Sequence, residues 1–391
     1  MKRKKENEYL ALYWCKNMRK QLVSSFGVNI PAEELFSFVS AITRCPEQGS
    51  TSSALETMQE FSIKYPAFAD IVDSIADMPD GKRSAYLWNE LLKDFDSIAN
   101  IMMWAENKQC FQFDADFTEE LMKTDNLPLN KNAWNFLPFR SFYVDISADR
   151  KLCEEIAGEG IFVTVEKVRA EYEWDITEND SLQEEWIVHL CKVDRKYFFH
   201  DLMSFPNITM ECEYSAQEKS QVEVHDIVYD SKNKVSGLDT RNITVNKKMY
   251  QVLVAQILNY LSSEEPDICE NEQTKVTYKP KNIGNAEIKD KFSEIRKWDV
   301  GVRFGTAFRK WRLSEKTAPD LPDTEDADET TEKKQRKSYR VRPHSRKAHW
   351  SHYWYGSGDN KVRRPKWIAA TFVNVGGKQQ ELSPVVIHKC S

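Results

Sequence analysis

The run GIFVTVEKVR, residues 160–169, sets the architecture of this chain. A glycine opens it and Ile, Phe, Val and Thr fill it, a composition that favours a strand over a helix. PFRSFYVDIS at 138–147 and EEWIVHLCKV at 184–193 have the same character. Downstream, KKMYQVLVAQILNYLS at 247–262 places Tyr250, Val254, Ile257, Leu258 and Leu261 on one face at helical period. TKVTYKP at 274–280 reads as one more short strand. Strands in succession with a helix laid against them predict an α+β domain over residues 131–314, not an alternating parallel α/β fold. Its sheet is expected to be mixed and mainly antiparallel, with packed helices.

Upstream, residues 1–130 read as a helical domain. Pro31 stands at a first helical position before AEELFSFVSAIT. Ser53-Ala-Leu-Glu56 has the capping-box spacing and opens a helix that stops before Pro66. SAYLWNELLKDFDSIANIMMWAE, 84–106, predicts one long helix with Trp88, Leu91, Leu92, Phe95, Ile98, Ala99 and Met102 on its apolar stripe. A further helix is expected over 303–312. There Phe304, Ala307, Phe308 and Trp311 face inward, and Arg303, Arg309, Lys310 and Arg312 face outward. Gly301 and Gly305 lack the spacing of a phosphate-binding loop.

Composition narrows the function classes. At 391 residues, with 41% apolar and 12% aromatic content, the chain has material for a core and for two or three units, so it is not disordered as a whole. Its eight cysteines include no C-x-x-C pair, and the closest two, Cys191 and Cys212, are 21 residues apart. That spacing argues against a zinc site or a disulfide framework and predicts free thiols in a reducing cytosol. No apolar run follows MKRKKENEYLALYW, and no stretch approaches the length of a membrane span, so a soluble cytoplasmic protein without a membrane partner is expected. His189, His200 and His225 are separate from one another and read as structural or surface residues.

The charge is unevenly distributed. Residues 319–332 hold seven acids and no base, within an expected flexible linker at 315–337. Residues 333–367 hold twelve Lys or Arg and one acid, Asp359. With a total of −6 and +11 in this tract, the rest of the chain carries −17. The last segment, 338–391, reads as basic, aromatic and β-rich. In RPHSRKAHWSHYWYG (342–356), strand alternation sets Trp350, His352 and Trp354 on one face, and His349, Ser351, Tyr353 and Tyr355 on the other. GSGDN (356–360) supplies a turn, Pro365 argues for an edge strand, and Gly376-Gly377 suits a further hairpin.

Four chemistries compete for this cluster. His344, His349 and His352 have H-x4-H-x2-H spacing, but a strand turns the last two to opposite faces and no acid or Cys stands near, so no metal site is expected. His349 and His352 with basic neighbours are the minimum kit of a metal-independent ribonuclease. Arg and Lys beside Trp, Tyr and His equally suit a plain RNA-binding module or a peptide interface. The Trp350 and Trp354 face could instead be core.

The stretch 340–374 resembles the C-terminal signature of the second family of type V-A anti-CRISPR proteins. The resemblance is carried by His344, Arg346, Lys347, His349, Trp350, His352, Tyr353, Trp354, Gly356, Lys366, Trp367, Ile368, Phe372, Val373 and Asn374. Weaker echoes are LPFRSFYVDIS at 137–147, GIFVTVE at 160–166 and GVRFGTAFRK at 301–310. Ser351 stands where relatives often have His, and Ala369-Ala370 where Pro is common. The family is carried by phages, plasmids and other mobile elements. The resemblance implies an inhibitor of the biogenesis of the type V-A CRISPR effector nuclease, acting in the bacterial host cytosol. It would recognise the nascent N-terminal peptide of the effector at the ribosome and trigger loss of its mRNA, without cofactor, metal or small-molecule substrate. The residues expected to bind are Arg342, His344, Arg346, Lys347, His349, Trp350, His352, Tyr353, Trp354, Arg363, Arg364, Lys366 and Trp367.

Overall fold

The computed structural model describes residues 9–26, 30–44, 51–87, 92–124, 127–128, 133–170, 183–205, 209–210, 220–229, 235–271, 295–317, 344–357 and 361–373. Helices come first: α1 (Leu10–Phe26), α2 (Ala32–Arg44), α3 (Thr51–Lys64), α4 (Ala69–Ala76), α5 (Asp80–Tyr86) and α6 (Leu92–Asn107). The α2 helix follows Pro31, whose carbonyl accepts its first bond from Leu35 N. The α3 helix begins at Thr51, two residues before the expected capping box, and ends before Pro66 as expected. Within the expected 84–106 helix, α5 and α6 cover described residues on either side of 88–91; Trp88 and Leu91 lie outside the described residues, while Phe95, Ile98, Ala99 and Met102 are buried.

The mixed sheet follows. Its strands are β1 (Gln109–Phe113), β3 (Ser141–Asp145), β4 (Gly160–Ala170), β5 (Gln183–Val193), β6 (Tyr197–Phe205), β8 (Ser220–Tyr229), β9 (Val235–Val245), β10 (Ile268–Glu270) and β11 (Arg296–Val300). The short β2 (Leu127–Pro128) and β7 (Thr209–Met210) pair separately. The nine-stranded order is β10-β11-β1-β3-β4-β5-β6-β8-β9. Only β11, β1 and β3 run parallel; every other pairing is antiparallel. Between the strands lie α7 (Ala115–Met122), α8 (Arg150–Ile156), α9 (Lys247–Leu261) and, after β11, α10 (Val302–Thr317). The fold is therefore α+β, as the pattern of runs indicated. One departure is β1: it lies inside the stretch read as helical, and it sits within the sheet. The expected strand at 274–280 lies outside the described residues.

Strand alternation divides the core between the two faces of the sheet. Cys110, Tyr143, Phe162 and Cys191 pack with the N-terminal helices. Phe111, Phe142, Val144, Ile161, Val163 and Leu190 pack with α7, α9 and α10 on the other face. Residues 252–261 of α9 are all buried, which explains why its apolar surface is broader than one stripe. Asn246 caps its first turn, accepting from Met249 N at 2.9 Å.

The N-terminal helices meet the sheet through a buried polar seam. Asn100 of α6 donates to the carbonyls of Phe162 (3.2 Å) and His189 (2.9 Å) and accepts from Thr164 Oγ1 (2.5 Å). Beside it His189, fully buried, holds Asp96 Oδ1 at 2.6 Å through Nδ1 and lies 3.5 Å from Glu166 Oε2 through Nε2. Ser40 of α2 donates to the same Glu166 oxygen. Burial alone would push the imidazole toward neutrality, but Asp96 and Glu166 outweigh it and raise the histidine to about 9. His189 is thus a structural, charged link between layers.

Two glycines of the 301–310 stretch serve packing. Gly301 has φ +73 and closes on Phe117. Gly305 lets α10 approach Asp114, the N-cap of α7, which accepts from the N–H groups of Asp116 and Phe117. A Cβ at 305 would stand 2.0 Å from Asp114 Oδ1. Gly305→Ala should therefore displace the cap and cost about 2 kcal/mol or more, measured by urea unfolding. An unchanged midpoint would show that the helices part without penalty.

Candidate functional site

The basic aromatic segment forms a hairpin. β12 (His344–Arg346) pairs antiparallel with β15 (Thr371–Val373), and β13 (His349–Tyr355) with β14 (Val362–Ile368). Both ladders share one register, His344 facing Val373 and Tyr355 facing Val362, so 344–373 is a single ribbon interrupted at 347–348 and 369–370. The interruption is where Ala348 and Ala370 are buried in the core. Gly356, at φ +94, opens the tip turn.

One part of the ribbon is bound to the body. Trp350 and Trp367 face each other across the strands. Trp350 Nε1 donates to Gln256 Oε1 at 3.0 Å, and Gln256 Nε2 in turn donates to the Thr124 carbonyl at 3.0 Å. Trp367 Nε1 donates to Thr124 Oγ1 at 3.2 Å, while its ring packs edge-on to Phe117, Phe304 and Tyr260. Glu264 N donates to the Pro365 carbonyl, which ties the edge strand β14 to the end of α9. Arg364 donates to the carbonyls of Ser262 and Ser263, pairs with Glu264 at 3.0 Å and lies over the Phe136 ring. Lys366 pairs with Glu265 at 3.2 Å.

The sequence reading missed Gln256 and Asn259. These two buried amides on α9 receive the indoles of Trp350 and Trp134 respectively. The available signal was two amides three residues apart in an otherwise apolar helix, a spacing that puts both on one side.

The other part of the ribbon faces solvent. Trp354 is 67% and Tyr353 44% exposed, while His349, Arg346, Lys347, Lys361 and Arg363 are also exposed. The alternative in which the Trp350 and Trp354 face is core holds only in part. They share a strand face, but the body extends only under Trp350. His352 is part-buried, and burial, with the Arg363 guanidinium as a second cause, holds its imidazole below the usual histidine range. His349 and His352 are three residues apart on β13, so their rings point to opposite faces and do not form an acid/base pair. The His344 side chain and Arg342 are not among the described positions, nor are the acidic linker after 317 and Gly376-Gly377.

A second polar cluster is paired within itself. At the ends of the parallel strands a cleft is lined by Asp114, Asp299, Asn271 and Arg309. Arg309 pairs with Asp114 and Asp116, Arg312 with Asp116 and Glu119, and Asn271 donates to Asp299 at 2.9 Å. Of the four cations expected to face outward on α10, Arg309 and Arg312 thus fasten it to α7, while Arg303 pairs with Asp267. Among the described residues no group of three His, Cys, Asp or Glu is placed to hold a metal, and no helix is long and apolar enough to cross a membrane. Of the described cysteines, Cys15, Cys110 and Cys191 are buried, Cys153 is part-buried and Cys269 is exposed, all as free thiols. Burial pushes the Cys15 and Cys153 thiols up to about 12, which leaves them protonated.

The model of the AcrVA2-like, anti-CRISPR type V subtype A2 family matches residues 111–375, from β1 past β15. The chain belongs to this family. The matched stretch holds the sheet, α7 to α10 and the whole ribbon, and leaves out the N-terminal helices. A solved structure described as the crystal structure of AcrVA2 is similar to this chain at 14% identity. The match covers 94% of this chain and 100% of the other, with a TM-score of 0.43. No curated protein matches.

Proposed function

We propose that this member of the AcrVA2-like family blocks the biogenesis of a type V-A CRISPR effector in the bacterial host cytosol. In this reading it recognises the effector's nascent N-terminal peptide at the ribosome and triggers loss of the mRNA being translated. The observation that carries the reading is the family match over 111–375, which spans the sheet and the ribbon together. The exposed part of the ribbon, with Arg346, Lys347, His349, Tyr353, Trp354 and Arg363, is its partner-contacting surface. The engaged part, with Trp350, Arg364, Lys366 and Trp367, holds that surface on the body.

The test is a reporter whose message begins with the first codons of the effector, co-expressed with the inhibitor. Reporter mRNA, measured by quantitative reverse transcription, should fall several-fold. A leader shifted by one frame, almost identical as RNA but encoding another peptide, should restore it. Equal loss from both leaders would show that the peptide is not what is read. An unchanged message from the in-frame leader would overturn the reading.

A further inference from the structure

We propose that the solvent-facing part of the β13–β14 ribbon binds single-stranded RNA, so that the aromatic side chains at its tip stack on unpaired bases and the peptide is read elsewhere on the chain. The proposal rests on the reading above for assigning this ribbon to partner contact. Its ligand class comes from charge and shape.

Charge comes first. The described residues of the ribbon, 344–357 and 361–373, include no Asp or Glu. Of its cations, Arg364 and Lys366 are already matched by Glu264 and Glu265 of the body. Arg346, Lys347 and Lys361 are exposed at its two ends. The strand between them rises roughly 3.3 Å per residue, so they are roughly 30 Å apart, a reach suited to a chain of phosphates but not to one small anion. Residues 1–318 carry a net charge of −11, so the ribbon's cations suit a polyanion better than most of the remaining surface does.

Shape separates a polynucleotide from a protein partner. A protein hot spot needs large side chains clustered in a desolvated centre, within an interface of about 1,000 Å² or more. Tyr353 and Trp354 are neighbours on one strand, so they point to opposite faces of a thin ribbon and form no contiguous apolar patch. Unpaired bases make no such demand: each ring offers a separate stacking face, and the backbone links the bases along the cations. Trp354 sits across from Arg363, which places an indole and a guanidinium on the same side of the tip. Paired bases could not reach these rings, so the single-stranded form is the one selected.

The experiment uses the purified full chain and a fluorescein-labelled 20-nucleotide RNA without secondary structure, read by anisotropy. Parallel arms use DNA of the same sequence, duplex RNA, and a labelled peptide of the effector's first residues. Binding to the single strand should weaken about 5- to 100-fold in Trp354→Ala and recover in Trp354→Phe. Lys347→Gln with Lys361→Gln should leave stacking in place and reduce the salt slope by about 0.7 for each phosphate no longer neutralised. Melting curves and far-UV spectra should stay those of the wild type, because the altered side chains are exposed.

Preference for duplex, a wild-type chain that does not bind the strand, or equal binding by wild type and Trp354→Ala would each overturn the proposal. Loss of peptide binding in Trp354→Ala, with RNA binding intact, would assign the ribbon to protein recognition instead. If the RNA arm fails while the in-frame reporter message is still lost, this inference falls alone and the family reading stands. Equal binding of DNA of the same sequence would keep the stacking mechanism and overturn the selectivity for RNA.

Discussion

Asp96→Ala should destabilise the fold by about 3–5 kcal/mol, because it strands a buried charge between two layers. His189 has no exposed surface, and its Nδ1 holds Asp96 Oδ1 at 2.6 Å. With Asp96 gone, the imidazolium keeps only Glu166, at 3.5 Å from Nε2 and shared with Ser40. The protein must then either bury a poorly matched cation or release its proton, and both cost stability. The wild-type pH dependence follows from the same contacts. The folded histidine is raised to about 9 from its ordinary 6.5, so the folded state binds the proton more tightly than the unfolded one. Its contribution is complete below pH 6.5, declines above it and is lost once the pH passes 9. Urea midpoints between pH 6 and 9.5 should fall across that window in the wild type. Asp96→Asn, which keeps the shape and removes the charge, should flatten the profile. A flat wild-type profile would show that His189 is neutral when folded.

This triad also shows where local reading of a sequence stops. Asp96, Glu166 and His189 come from α6, β4 and β5, and no window of the chain contains more than one of them. The strands β4 and β5 and helix α9 were legible because each has a sustained period and a boundary residue. β1 was not, because only Lys108 separates it from α6. That residue ends the helix with φ +50, a left-handed conformation a lysine seldom takes and so does not advertise. The ribbon itself was legible from alternation and turn chemistry. Which of its tryptophans packs against the body was not. Trp350 and Trp354 share a strand face, and their burial depends on how far α7 and α9 reach beneath the ribbon. The buried amides Gln256 and Asn259 have a reason only through the indoles of Trp350 and Trp134, which donate to them from distant parts of the chain.

Trp367→Ala should cost about 3 kcal/mol or more and release the ribbon from the body, whereas Trp354→Ala should change stability by less than about 0.5 kcal/mol. Removing the Trp367 ring empties the space among Phe117, Phe304 and Tyr260, and without its Nε1–H Thr124 has no such donor. The damage extends to Trp350, its cross-strand partner, whose bond to Gln256 depends on the ribbon lying flat against α9. Trypsin is a direct probe. Arg363 and Lys366 should be cut slowly in the wild type and in Trp354→Ala, and quickly in Trp367→Ala. Wild-type melting and proteolysis of Trp367→Ala would show that Arg364, Lys366 and the Pro365 carbonyl suffice to hold the ribbon. The contrast matters for any functional test. A joint replacement of Trp350 and Trp354 removes one anchor and one exposed ring together, so its loss of activity would not distinguish an undocked ribbon from a missing contact. Trp354→Ala tests the contact, and Trp367→Ala tests the docking.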